Sequence, residues 1–407
     1  MVEPWKVALA DTTVGAAEID AVTQVLSTRW LSAGETTRAF EREFARALGV
    51  PDAVAVSSGT AALHLAALAL DIGPGDEVVM PSLSFVAAAE VTAMLGAVPV
   101  FADVRSDTDL TIDPDDVRRV LSGRTRAIVA MHYGGFPADL ARLRALADTH
   151  GLALVEDAAH APAVRVRDRM AGTVGDLGCF SFHPAKNITT GEGGMVVATD
   201  PERLDRVRAT RSHRMVRTGG VGYDVTGVGL NYRPTEMSSA LGRVQLARLA
   251  DDRARRRAVR ATYEQMLRNA PGVAVPFTDH AGDSAHHLLA VLVPAGLRDE
   301  ICRQLAVEGV QTTLHYPPTH RFSHYRKAYR GAHRPLPVTE RVAARLVSLP
   351  MHARMSTEDA AFVASTAISV LHRLTGGRTE AFTAPFGSRT AGGGAASPPP
   401  SPDLPAT

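Results

Sequence analysis

The chain has 407 residues, of which 45% are hydrophobic and 21% are charged. This length exceeds what one ordinary hydrophobic core organises, so at least two domains are expected. Lysine plus arginine (44) almost balances aspartate plus glutamate (43), which leaves a formal net charge of +1. We therefore expect neither nucleic acid nor a membrane as a partner, because no global field attracts the protein to a polyanion.

The cysteines, Cys179 and Cys302, are far apart in sequence. They provide no disulfide framework and none of the paired spacings of a structural zinc site, so no metal is expected. The first residues contain no basic segment leading into an apolar stretch, and no uninterrupted apolar run has the length of a bilayer span. These features predict a cytoplasmic location.

Short β-rich runs alternate with helical patterns between about residues 53 and 200, which is typical of crossover units in an α/β fold with a mostly parallel sheet. The pattern predicts helices that include 60–70, 140–150 and a long one at 236–267. It predicts seven strands, at 53–57, 77–80, 98–104, 126–131, 152–157, 178–182 and 194–199.

Three regions are predicted along the chain. Residues 1–250 form a large domain with an N-terminal segment, and residues 251–375 mix strands and helices in a way that suits a smaller α+β domain. Residues 376–407 are dominated by Gly, Ala, Ser and Pro, and such a composition cannot bury enough apolar surface to order itself. We therefore expect this last region to be disordered.

The most informative segment is 181–194, SFHPAKNITTGEGG, which places Lys186 between a short strand and a glycine-rich turn. The apolar run 152–155 ends in Glu156 and Asp157, which brings a carboxylate to the carboxyl end of a predicted strand, and His160 follows. A Schiff-base lysine and an aspartate for the ring nitrogen are the groups that pyridoxal phosphate (PLP) requires. The alternatives are a solvated surface lysine, a helix-capping aspartate and a core histidine.

A second segment, 57–63 with the sequence SSGTAAL, follows the first strand and opens a small-residue helix. Its free N–H groups and hydroxyls would suit a phosphate, although an ordinary capped helix explains the segment equally well by itself. The conjunction with Lys186, Asp157 and Ser181 is more specific, because all of them fall where open α/β sheets bind ligands. Neither a dinucleotide-binding glycine fingerprint nor a P-loop is present.

With these segments in place, the chain resembles the DegT/DnrJ/StrS family of PLP-dependent sugar aminotransferases, and the resemblance extends over nearly all of the chain that is expected to be ordered. Eight blocks carry it in order: WLSAG at 30–34 with Phe40 and Glu41, SGTAAL at 58–63, PSLSFVA at 81–87, HYGG at 132–135, EDAAHA at 156–161, the lysine segment, GLNYRPTE at 229–236 and HYPP at 315–318.

The resemblance implies PLP-dependent transferase fold type I, which is aspartate aminotransferase-like, in a homodimer with active sites at the subunit interface. It implies that Lys186 bonds to the cofactor and moves protons, that Asp157 keeps the pyridine nitrogen protonated, and that His160 lies near the phenolic oxygen. These would be the catalytic residues. The further cofactor contacts it implies are Ser58, Gly59, Thr60, Phe85, Ser181 and Asn231, the last supplied by the neighbouring subunit. The residues expected near the substrate are His183, His315 and Tyr316.

The family's chemistry implies that L-glutamate donates its amino group to PLP, and that the resulting pyridoxamine phosphate aminates a keto-deoxysugar carried on a nucleoside diphosphate. Phe85, His160 and the loop 188–194 resemble enzymes that act at sugar C4 more than those that act at C3. A keto-cyclitol (inosose-type) aminotransferase of aminoglycoside assembly is the nearest alternative. A non-catalytic PLP-binding sensor or regulatory protein is less well supported, because it would not need Lys186 and Asp157 together. The dehydratases of the family have histidine in place of this lysine.

Overall fold

The computed structural model of the protein describes residues 5–219, 221–329 and 334–376. Its helices are α1 (Ala16–Thr28), α2 (Glu35–Leu48), α3 (Gly59–Ala69), α4 (Ala87–Met94), α5 (Pro114–Val120), α6 (Leu140–His150), α7 (Pro201–Arg211), α8 (Glu236–Leu267), α9 (Arg298–Val307), α10 (Ser323–Ala328), α11 (Pro337–Ala343) and α12 (Thr357–Thr375). Its strands are β1 (Val54–Val56), β2 (Glu77–Pro81), β3 (Val98–Ala102), β4 (Thr125–Met131), β5 (Ala153–Asp157), β6 (Arg165–Val166), β7 (Arg169–Met170), β8 (Leu177–Ser181), β9 (Gly194–Ala198), β10 (Met215–Arg217), β11 (Tyr223–Val225), β12 (Leu289–Leu292) and β13 (Leu346–Leu349).

All seven predicted strands belong to one sheet, in the order β1-β9-β8-β5-β4-β2-β3. The pairs β8–β5, β5–β4, β4–β2 and β2–β3 are parallel, whereas β9 runs antiparallel to both of its neighbours. The strands are almost uniformly buried, as expected for a sheet with helices on both faces. The prediction of a mostly parallel seven-stranded α/β sheet is confirmed.

The long predicted helix is confirmed as α8, whose first turn also completes the N-terminus of α2. Thr235 caps α8 by accepting a hydrogen bond from the N–H of Ser238. The Glu236 carboxylate accepts hydrogen bonds from the N–H groups of Gly34, Thr36 and Thr37, each at 2.8 Å. Hydrogen bonding to the charged form holds the Glu236 pKa below its usual value despite burial. This carboxylate thus satisfies backbone donors that α2 cannot pair internally.

The hydrophobic residues form separate cores on the two sides of the molecule. One set of clusters covers the faces of the large sheet. Another cluster joins the end of α8 to β12, β13, α9 and α12, and it includes Val7 of the N-terminal segment. A third cluster connects the two regions through the stacked rings of Phe136 and Phe277, whose centroids lie 4.3 Å apart. The large sheet and the α8–α12 region thus have separate cores, which this cluster joins.

The predicted boundary between residues 250 and 251 falls within the continuous helix α8, and the three-region division stays a prediction. Gly376 adopts a left-handed conformation (φ 63°) and ends α12. The remainder of the predicted disordered tail, 377–407, lies outside the described residues. Within the described ranges, no helix has the length and apolar character required to cross a membrane.

Candidate active site

A cavity of about 370 Å³ lies at the carboxyl ends of the central strands, where open α/β sheets bind ligands. The ends of β5 and β8 form its base, and the start of α3 and the lysine loop contribute further walls. The C-terminal part of the chain supplies residues of the segments 287–288, 315–316 and 348–351. Leu9 and Ala10 of the N-terminal segment also line the cavity.

Lys186 is half-buried in this cavity, in the loop between β8 and β9. Its backbone N–H donates to the carbonyl of His183 at 2.8 Å, which forms a tight turn in the loop. Burial lowers the pKa of the Lys186 amine from 10.5 to about 8, and the nearby negative charge of Asp157 limits this decrease. An appreciable fraction of the amine is therefore uncharged, and hence nucleophilic, near neutral pH.

Asp157 ends β5 and is 7% exposed. One carboxylate oxygen accepts a hydrogen bond from the N–H of Ala159 at 3.1 Å, and no described residue forms an ion pair with Asp157 within salt-bridge distance. Burial raises the pKa of the Asp157 carboxyl group, whereas the Ala159 N–H and the charge of Lys186 oppose the increase. A protonated ring nitrogen would provide the positive partner that this buried carboxylate lacks.

His160 is almost fully buried (1% exposed) and contacts residues from both sides of the cavity. Its Nδ1 accepts a hydrogen bond from the N–H of Gly134 at 3.3 Å, and its Nε2 lies 3.0 Å from the hydroxyl of Tyr316. The rings of His160 and His287 are 4.2 Å apart. Burial, followed by the charge of Lys186, holds the pKa of His160 well below its usual value, so this imidazole is neutral.

The start of α3 forms a site suited to a phosphate. The Ser58 hydroxyl caps the helix by accepting the Ala61 N–H at 3.0 Å, and no described acceptor receives the N–H groups of Gly59 and Thr60. A Cβ built on Gly59 would lie only 2.6 Å from Cβ of Ser181, so glycine permits this close approach. Gly59, Thr60 and Ser181 all line the cavity, so free N–H groups, a helix N-terminus and two hydroxyls are available to a phosphate there.

The remaining predicted residues divide into two groups. Phe85, His183, His315 and Tyr316 all line the cavity, and Phe85 remains 54% exposed. Asn231, in contrast, is exposed and does not line the cavity of its own chain.

The sequence analysis missed two polar residues beside the lysine, His287 and Asn187. Asn187 is 6% exposed; its amide nitrogen donates to the carbonyl of Ala285 at 2.7 Å, and its oxygen lies 2.8 Å from Nδ1 of His287. These bonds hold the lysine loop against the segment that carries His287. Asn187 follows Lys186 directly, so its position was a usable signal, but His287 has no local motif that distinguishes it.

These features fit the phosphate, the aldehyde and the ring nitrogen of PLP. The α3 start provides unpaired donors for the phosphate, Lys186 provides an amine for the aldehyde, and Asp157 provides a carboxylate with an unpaired oxygen for the ring nitrogen. The fold and cavity thus define a PLP-dependent transferase of fold type I.

Comparison with known proteins identifies the family. The sequence model of the DegT/DnrJ/EryC1/StrS aminotransferase family matches residues 12–367. The spore coat polysaccharide biosynthesis protein SpsC of Bacillus subtilis is 38% identical over 359 residues, which cover 85% of this chain and 92% of SpsC. The dTDP-4-dehydro-2,3,6-trideoxy-D-glucose 4-aminotransferase of Saccharopolyspora spinosa is 38% identical over 364 residues, which cover 86% of this chain and 93% of that enzyme.

Solved structures agree in fold. The aminotransferase TlmJ from Streptoalloteichus hindustanus has a TM-score of 0.86 and 38% identity, and the match covers 90% of this chain and 99% of TlmJ. The protein Spr1654 of Streptococcus pneumoniae, solved in a PLP form, has a TM-score of 0.84 and 26% identity, with 90% and 99% of the two chains covered. The chain therefore belongs to the DegT/DnrJ/EryC1/StrS family and is a PLP-dependent aminotransferase.

Proposed function

We propose that this aminotransferase moves an amino group from L-glutamate to C4 of a keto-deoxysugar carried on a nucleoside diphosphate, in amino-sugar biosynthesis. The observation that carries the proposal is the meeting of Lys186 and Asp157 in one cavity beside the free N-terminus of α3. The choice of a C4 keto sugar is supported by the similarity to the Saccharopolyspora spinosa enzyme, which extends over most of both chains.

We propose that Lys186 is the covalent attachment point and the acid-base group of the reaction. PLP, when bound, supplies an electron sink that stabilises negative charge on the substrate carbon. The amine of Lys186, with a pKa of about 8, is poised both to accept a proton from that carbon and to return one. Asp157 would hold a proton on the ring nitrogen, and the burial of its carboxylate would exclude water that weakens this interaction.

The phosphate end of the cavity has an anchoring role in this proposal. The N–H groups of Gly59 and Thr60, with the hydroxyl of Ser181, would hold the phosphate, while Phe85 would pack against the ring. Because the amino group arrives from glutamate and departs to the keto sugar while the cofactor stays in the protein, the cofactor would need non-covalent anchoring whenever it is not bonded to Lys186. A rigid helix start meets this need at little entropic cost.

We further propose that the protein works as a homodimer in which Asn231 completes the phosphate site of the partner. Asn231 is exposed in its own chain, close in sequence to the hairpin β10–β11. Several large apolar side chains of this hairpin and of the segment between α1 and α2 are exposed, and exposed apolar side chains become buried when they lie in an interface. They are Trp30, Leu31, Met215, Val216, Tyr223 and Val225.

The acceptor can be tested in a single-turnover reaction. Protein converted to its pyridoxamine phosphate form is mixed with a nucleoside-diphosphate 4-keto sugar, its 3-keto isomer or a keto-cyclitol, and the amino product is identified by mass spectrometry and NMR. We expect rapid amination of the 4-keto sugar alone, and none with the Lys186→Ala variant. Faster turnover of the keto-cyclitol would reject the proposed acceptor and leave the aminotransferase assignment intact.

A further inference from the structure

One set of cavity-lining side chains is apolar and comes from elements other than those assigned to the cofactor. We call this set the apolar wall, and it consists of Leu9, Ala10, Leu288, Leu349 and Met351. The groups assigned to the phosphate, the aldehyde and the ring nitrogen come instead from the start of α3, the lysine loop, β8 and β5. The wall is built by the N-terminal segment and the C-terminal part of the chain.

Backbone pairing brings the parts of the apolar wall together. The carbonyl of Leu9 accepts a hydrogen bond from the N–H of Met351 at 3.2 Å. In the antiparallel pair β12–β13, Leu349 lies opposite Leu289, the residue that follows Leu288. The N-terminal segment, β12 and β13 thus hold the wall residues as neighbours.

A buried arginine fixes the backbone of the wall. Nη1 of Arg256, in α8, donates to the carbonyl of Met351 at 3.0 Å and to that of His287 at 3.4 Å. The N–H of Leu9 donates to Oε1 of Gln311 at 2.9 Å. Because these bonds lie within the chain, the wall is formed before any ligand enters the cavity.

The polar groups next to the wall already have partners in the chain. Nδ1 of His315 lies 2.9 Å from the hydroxyl of Ser348, and Nδ1 of His287 lies 2.8 Å from the oxygen of Asn187. Burial lowers the pKa values of His287 and His315, and the charge of Lys186 contributes to both decreases, so both rings are neutral. These groups therefore offer a ligand few further hydrogen bonds, although they lie within electrostatic range of Lys186, next to which the acceptor must react.

An acceptor that reacts next to Lys186 must place its other ring carbons against nearby surfaces of the cavity. A carbon with a hydroxyl would lose hydrogen bonds to water against an apolar surface, whereas a methyl or methylene group would gain from burial. We infer that the apolar wall contacts the deoxygenated carbons of the acceptor sugar and selects acceptors with few ring hydroxyls. This inference rests on the proposed function, because it assumes a sugar nucleotide as the acceptor.

The wall also separates the proposed acceptor from the nearest alternative. A keto-cyclitol of the inosose type carries a hydroxyl on each of its other ring carbons, so at least one of them would meet the wall without a partner. An apolar surface discriminates against an added hydroxyl without excluding it, by about 10- to 100-fold. The preference among acceptors should therefore be graded by the number of their hydroxyls.

The test is a series of acceptors that differ only in their hydroxyls. The 4-keto-6-deoxy, 4-keto-2,6-dideoxy and 4-keto-2,3,6-trideoxy sugars, linked to thymidine diphosphate or uridine diphosphate, are aminated in single turnovers by the pyridoxamine phosphate form of the protein. The rate constant divided by the apparent dissociation constant should increase by about tenfold or more from the first sugar to the third. The corresponding 4-hydroxy sugars cannot react, and their dissociation constants should decrease in the same order.

A matched pair of variants tests the wall itself. Leu9 is half-buried, and in Leu9→Asn the new amide could pair with a sugar hydroxyl, so the preference for the third sugar over the first should fall by about fivefold or more. The control Leu297→Asn replaces another half-buried leucine, which does not line the cavity. Leu297 is the N-cap of α9, where asparagine is favoured, so this variant should keep the wild-type preference.

The outcomes distinguish the inference from the proposed function. Equal amination of the three sugars by the wild type, or an equal change for all three sugars in Leu9→Asn, would overturn the inference and leave the proposed function intact. Amination of a keto-cyclitol and of none of the sugar nucleotides would overturn the proposed function, and the inference with it.

Discussion

The low pKa of Lys186 leads to a quantitative prediction about how the protein captures its cofactor. With a pKa of about 8, roughly one amine in ten is uncharged at about pH 7. A lysine at the usual value of 10.5 would have only about one in three thousand uncharged at the same pH. Burial thus increases the reactive fraction by about 300-fold, provided that access to the amine is the same.

The assay is the rate at which cofactor-free protein bonds to PLP, followed by visible absorption across a pH series. The rate should rise with a midpoint near pH 8. In Asp157→Asn, the carboxylate that favours the charged ammonium is lost, so the pKa of Lys186 should decrease and the midpoint should move to lower pH. A wild-type midpoint near 10.5, or an upward shift in Asp157→Asn, would refute the reasoning.

Three other predictions concern the phosphate site, the proposed dimer and the buried His286. Gly59→Ala should weaken PLP binding at least about tenfold, because the new Cβ would lie 2.6 Å from Cβ of Ser181. The control Gly73→Ala adds a Cβ that meets nothing within 4 Å, so it should leave PLP binding unchanged. Equal binding by both variants would contradict the phosphate site. Mixed dimers of Lys186→Ala and Asn231→Ala subunits should recover about a quarter of the wild-type activity, since half of the dimers contain one complete site, and the absence of recovery would argue against a shared site. Burial lowers the pKa of His286 to about 3, so on acidification this histidine binds a proton in the unfolded state before it does in the folded state. The free energy of unfolding should therefore fall as the pH decreases from about 6.5 towards 3. Denaturant titrations of His286→Gln should show a weaker pH dependence, and an unchanged dependence would contradict the prediction.

Local sequence predicts much of this fold because its elements carry their own boundary signals. Helix α6 covers 140–150 as predicted, between the capping Asp139 and the left-handed Gly151. The bounds of α8 also agree with the prediction, since Thr235 caps its start. The short pairs β6–β7 and β10–β11 were not predicted, because their strands of two or three residues are mostly exposed and carry no periodic pattern.

In the site, too, residues with a local sequence signal are predictable and residues placed by long-range contacts are not. Lys186 and Asp157 are predictable because Asp157 ends one buried strand and Lys186 follows another, and the carboxyl ends of both strands line the cavity. His287 is not predictable, because its contact with Asn187 joins residues that are 100 positions apart in the sequence. The contact between His160 and Tyr316 likewise spans 156 residues.

The measurement that tests the central claim most directly is an absorption spectrum of the purified protein with PLP, before and after addition of L-glutamate. The account predicts a visible band of cofactor bonded to Lys186, which glutamate replaces with the band of pyridoxamine phosphate while 2-oxoglutarate forms in equal amount. Lys186→Ala should show neither the initial band nor the conversion. A band that glutamate leaves unchanged would contradict the proposed donor, and a protein that develops no band with PLP would contradict the cofactor site itself.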